Sequence, residues 1–166
     1  MKETVQFIIN KYGVGNLRYA VIIYGSNAKL VLSFDPNFPA LENWLSTVDK
    51  MQIEQGPPAM EKALQNAKEL FQSSDRSDAK KVLVVIADKS PTGDAEAIKK
   101  EAQELGVDDV KVVPVAIGDE IDAKEIEETS PYKDVLVDVP KDVDPKDLAK
   151  AIMDKVLKGT VTTILN

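Results

Sequence analysis

Asp88 follows the apolar run Val82-Leu83-Val84-Val85-Ile86-Ala87 and precedes Ser90, Thr92 and Asp94. A carboxylate with hydroxyls and a second carboxylate nearby is a hard-oxygen donor set, the chemistry of Mg or Ca sites. Such cations want six or more oxygens, so Asp88 needs two or three further donors and this loop alone implies weak Mg or Ca binding at best. On these grounds no resident cofactor is expected. The competing reading, which the spacing favours, is that Asp88 caps the turn or the next helix through backbone N–H groups.

A second acidic set comprises Asp119, Glu120, Asp122, Glu125, Glu127 and Glu128. It could attract Ca or a basic partner, but runs of this kind are usually a solvated face, with Asp119 or Asp122 capping a short helix. Asp134, Asp138, Asp142 and Asp144 are interleaved with Lys133, Lys141 and Lys146, a mixture typical of ordinary surface. The chain has no histidine and no cysteine, which removes imidazole bases, thiol chemistry, disulfides and soft metal sites. Gly13-Val14-Gly15 lacks the third glycine and the preceding strand of a dinucleotide fingerprint. No phosphate-loop lysine or nucleophile elbow occurs, and Tyr24-Gly25-Ser26 reads as a turn, so no enzymatic activity is expected.

These residues need a frame, and hydrophobic periodicity supplies one. Residues Met1 to Tyr12 place Val5, Ile8 and Ile9 at helical spacing, with Gly13 and Gly15 as the stop. Leu17 to Tyr24 and Ala28 to Phe34 read as a hairpin around Gly25-Ser26-Asn27. Pro39 to Lys50 (Leu41, Trp44, Leu45, Val48) and Pro57 to Phe71 (Ala63, Leu64, Ala67, Leu70, Phe71) carry helical apolar faces.

Lys81 to Asp88 is β-branched on both faces, as a central parallel strand covered by helices must be. A helix over Gly93 to Leu105 is expected to stop at Gly106. The strand Val110 to Ile117 contains Pro114, which suggests an edge position or a bulge. Asp122 to Glu128 reads as a short helix and Asp134 to Val139 as a strand. Asp144 to Leu157 reads as a helix with Asp144 as N-cap and Pro145 at its first position. The β-branched tail Gly159 to Asn166 looks like one more strand. The alternation predicts an α/β fold: three layers, Rossmann-like and doubly wound, with a mainly parallel sheet, one antiparallel edge strand and helices on both faces.

The 166 residues suffice for one domain, and 43% hydrophobic with 30% charged residues is a globular composition. A net charge of −7 disfavours nucleic acid and anionic lipid as partners. The longest apolar runs are strand-length, so no membrane insertion is expected.

In order, an amphipathic helix, the hairpin LRYAVIIYGSNAKLVLSF, a Gly-Pro loop before a helix, KVLVVIADKSPTGD and VKVVPVAIGDEIDAKEIEETSP together resemble the von Willebrand factor A domain. The resemblance runs from Met1 to about Lys158. It implies a secreted, extracellular module that binds a protein ligand, such as a matrix protein, in adhesion or matrix assembly. In the family a divalent cation is usually held at the top of the sheet by a D-x-S-x-S loop after the first strand, a threonine before the third helix and an aspartate after the fourth strand. Asp88 matches that aspartate. Pro58 stands at the threonine position and has no side-chain oxygen, and the D-x-S-x-S loop and its strand are not at their usual place.

The resemblance therefore implies an incomplete metal-ion-dependent adhesion site in a segment without its signal peptide. Two alternatives stay open: a metal-dependent adhesion domain completed by another chain or a precursor segment, and a phosphate-accepting receiver. The receiver would need an early acidic pair, and Met1 to Tyr12 offers only Glu3. Residues 1–158 are expected to form the A-like domain. Residues 159–166 are expected as a strand that fills the central first-strand slot by circular permutation, pairs with a second copy in a strand-swapped homodimer, or is a mere linker.

Overall fold

The computed structural model describes residues 1–13, 17–34, 40–52, 56–74, 76 and 78–157. Gly15, Pro39 and the tail expected as a strand lie outside the described residues. Helix α1 spans Lys2–Tyr12, strand β1 Val21–Tyr24, β2 Ala28–Leu32, α2 Leu41–Lys50, α3 Met60–Gln72, β3 Lys81–Ala87, α4 Ala95–Val107, β4 Val110–Ile117, α5 Ala123–Glu127, β5 Val137–Val139 and α6 Pro145–Leu157. The α/β expectation holds, and the described strands form two sheets. β1 and β2 pair antiparallel, and β3, β4 and β5 pair in parallel in that order.

Period-two alternation sorts the β3 side chains between two helical layers. Leu83, Val85 and Ala87 join a core with Met60, Leu64 and Phe71 of α3, Ile98, Ala102 and Leu105 of α4, and Ile126 of α5. Val82, Val84 and Ile86 face the other way, with Leu148 and Ile152 of α6 and Ile8 of α1. Ile9 on α1 packs instead with Trp44 and Val48 of α2 over Val21 and Ile23 of β1. Helices α1, α2 and α6 thus form one layer, and α3, α4 and α5 the other. Lys68 clamps α3 to α4, its Nζ lying 2.6 Å from an oxygen of Glu101 and 2.6 Å from one of Glu104.

Pro114 occupies the middle strand of the parallel sheet, opposite Val85, with no bulge, so neither the edge nor the bulge expectation holds. Tolerance comes from its flank. The Val112 carbonyl accepts a hydrogen bond from the Ser130 hydroxyl at 2.8 Å. Residues of the same parity, including Pro114, therefore turn their backbone groups toward β5, whose pairing begins only at Val115. No ladder donor is lost where Pro114 lacks its N–H.

Gly106 is also placed differently from the expected stop: α4 continues through it to Val107, and Asp109 takes the left-handed conformation with φ 58°. The glycine serves close packing, since a Cβ there would lie 2.7 Å from Cγ of Pro131. Gly106→Ala should gain about 1 kcal/mol of helix propensity yet lose about 1–3 kcal/mol to overpacking. The expected outcome in urea unfolding is a lowered midpoint with an unchanged slope.

Candidate functional site

The carboxyl ends of parallel strands are where open α/β sheets bind ligands, and here that end gathers three loops. The hairpin turn Gly25-Ser26-Asn27 leaves β1, the segment Gly56 to Ala59 leads into α3, and the loop Asp88 to Asp94 leaves β3. The Ala59 N–H donates to the Gly25 carbonyl at 2.7 Å, and Lys62 Nζ donates to Asn27 Oδ1 at 3.0 Å. The turn is thereby tied to the start of α3. Gly56, at φ 112°, passes so close to the turn that a Cβ would sit 3.0 Å from Cβ of Ser26.

Asp88 projects from the first position after β3 and is exposed. The cap of the next helix belongs to Asp94, whose side chain accepts from the Glu96 N–H at 3.0 Å. The expectation that Asp88 caps that helix is corrected, because α4 starts seven residues further on, at Ala95. Ser90 and Thr92, the hydroxyls nearest in sequence, both have partners in neighbouring loops. Ser90 Oγ accepts from the Asp122 N–H at 3.2 Å. Thr92 donates twice to the Pro58 carbonyl, from its N–H at 3.1 Å and from its hydroxyl at 3.3 Å.

Asp122 caps α5 by accepting from the Lys124 N–H at 2.9 Å, as one reading of the acidic run expects. Asp119, Glu120, Glu125, Glu127 and Glu128 are exposed. Asp144 likewise accepts from the Lys146 N–H at 2.8 Å at the head of α6. Among the described residues, no three His, Cys, Asp or Glu side chains converge as a metal cage would require. No helix among them is long and apolar enough to cross a membrane.

Tyr24 is a site residue that the sequence reading passed over as part of a turn. Its hydroxyl donates to the Ile86 carbonyl at 3.0 Å, linking the last residue of β1 to β3. Burial drives its pKa well above the usual tyrosine value, and the Asp88 carboxylate adds to the rise. Tyr19, whose hydroxyl donates to the Gly13 carbonyl at 2.9 Å, is pushed up to about 12, chiefly by burial and further by Tyr12. The available signal was positional: Tyr24 ends a strand at the same level as Asp88.

The von Willebrand factor type A domain model matches residues 1–151, and with the strand order and layers above, the chain belongs to this family. Among solved structures it is similar to proximal thread matrix protein 1 from the mussel byssus, with TM-score 0.82 at 18% identity over 94% of this chain and 42% of that one. Another structure of that protein, with a zinc-occupied MIDAS motif, superposes with TM-score 0.78 at 17% identity over 96% of this chain and 39% of that one. Manganese-loaded TRAP protein from Plasmodium vivax gives TM-score 0.74 at 15% identity, over 93% of this chain and 64% of that one. The chain therefore spans less than half of the mussel chain and just under two thirds of the Plasmodium one. At these identities the likeness is one of fold.

Both tyrosines are held neutral by the fold, so their contribution to stability is complete below pH about 10. It is lost as pH rises through about 12 for Tyr19, and at higher pH for Tyr24. In an alkaline titration, part of the tyrosinate absorbance should appear only together with loss of the helical circular dichroism. Tyr24→Phe should remove part of that late signal and cost about 0.5–1.5 kcal/mol. Full ionisation with the helices intact would contradict the burial of these hydroxyls.

Proposed function

We propose that this chain is a non-enzymatic binding module of adhesion or extracellular-matrix type, secreted, holding a protein ligand such as a matrix protein by direct contact without a complete metal-ion-dependent adhesion site. The observation that carries the reading is the pair of hydrogen bonds from Thr92 to the Pro58 carbonyl. They tie the Asp88 loop to the one segment where the family's threonine ligand is expected, and Pro58 brings no side-chain oxygen. The hydroxyls beside Asp88 are engaged in holding loops together, and Asp94 and Asp122 in capping helices. This donor set does not fit a six-oxygen shell.

Membership of the von Willebrand A family supports protein binding as the activity, and the mussel matrix protein supports a matrix setting. The net charge of −7 suits a basic or mixed protein surface and disfavours nucleic acid. A second reading keeps the metal: Asp88 is exposed at the top of the sheet, where another chain or a precursor segment would complete its shell. The zinc- and manganese-bearing relatives favour that alternative. Titration calorimetry of the isolated chain with Mg, Ca and Mn separates the two. Binding no tighter than about millimolar is expected, and micromolar binding would overturn the proposal.

A further inference from the structure

Hydrogen bonds from two loops meet on one peptide group at the top of the sheet. The Pro58 carbonyl accepts the N–H and the hydroxyl of Thr92 at 3.1 and 3.3 Å, together with the Met60 N–H at 3.0 Å in the head of α3. The N–H of the same peptide, that of Ala59, donates to the Gly25 carbonyl of the hairpin turn at 2.7 Å. A peptide is a rigid plane, so its oxygen cannot be displaced without moving its N–H. An amide polarised at its oxygen is also the stronger donor at its nitrogen. Thr92 therefore acts on the bond that holds the turn, although it makes no part of that bond itself.

The same short segment reaches the opposite way. Ser90 Oγ accepts the Asp122 N–H at 3.2 Å, and Asp122 in turn caps α5 by accepting from the Lys124 N–H at 2.9 Å. Only Pro91 separates Ser90 from Thr92. Its ring fixes its own φ at about −65° and confines the residue before it to extended backbone. Ser90 and Thr92 are thereby joined by a stiff link. Gly93, at φ 120° with open space where a Cβ would stand, then turns the chain into the Asp94 cap of α4. A side-chain-bearing residue rarely adopts that angle, so the glycine is there for the backbone.

From this arrangement we infer that Ser90-Pro91-Thr92 is a strap coupling the hairpin turn and the head of α3 on one side to α5 on the other. Asp88, exposed two residues before Ser90, is its outer contact. A protein ligand that presses on Asp88 moves both neighbours together. The role toward a ligand rests on the metal-free binding surface proposed for this end of the sheet; the strap itself rests on the hydrogen bonds alone. Ser90 and Thr92 are positioning residues here, tied to elements 32 and 34 residues away in sequence.

Amide-resolved hydrogen exchange on the 166-residue chain tests the coupling. Thr92→Val removes the hydroxyl and keeps the N–H. It should speed exchange at Ala59 and, across Pro91, at Asp122, each at least about 3-fold, and Thr92→Ser should restore both rates. Ser90→Ala should speed exchange at Asp122 directly and at Ala59 through the strap. In a Pro91→Ala background the far-side effects should vanish while the near-side ones persist. The β3 and β4 amides should keep their rates, because none of the three residues belongs to a core cluster. Effects confined to Ala59 for Thr92→Val and to Asp122 for Ser90→Ala overturn the strap. Rates in Mg and in EDTA should agree; protection that requires Mg overturns the metal-free reading, and the variants compared in EDTA still decide the strap.

Discussion

Every layer of this domain answers to the parallel pairing of β3 with β4. Seven consecutive register pairs, Lys81 with Val110 through Ala87 with Ala116, join two strands that are apolar on both faces. Such a ribbon cannot leave either face in water, so helices must cover both, and the short connections through α4 and α5 place them on one side while α6 takes the other. The same pairing aims alternate backbone groups of β3 away from β4. Among the described residues no strand pairs with that side of β3, and each such group left buried and unpaired costs about 1–3 kcal/mol.

The upper end of the sheet is organised by hydrogen bonds between loops more than by charge. Ser90 bridges to the start of α5, Thr92 to the entry of α3, and Tyr24 to the end of β3. Asp88 stands exposed among these ties. A surface shaped this way presents a rigid set of loops on helix and strand ends, the arrangement from which a protein partner can be recognised by shape and polar contact.

The sequence conveyed the order and type of elements well, because each depends on local period. The β-branched run before Asp88, the Val5, Ile8 and Ile9 stripe of α1, and the Asp144-Pro145 start of α6 all stand where the periodicity and capping rules put them. Position within the tertiary structure was less legible. Gly106 looked like a stop and is a contact with Pro131; Pro114 looked like an edge and lies in the middle strand. Both were misread because the deciding neighbour is distant in sequence.

The sequence alone determined the alternation of helices and strands, the two-faced apolar character of β3 and β4, the lack of imidazole and thiol chemistry, and the candidacy of Asp88. These follow from residue type and short-range spacing. Only the tertiary structure decided that Thr92 spends both donors on Pro58 and that Tyr24 bridges two strands. Those outcomes rest on contacts across 34 residues for Thr92 and 62 for Tyr24, and no local pattern encodes which partner a hydroxyl will find once the layers close.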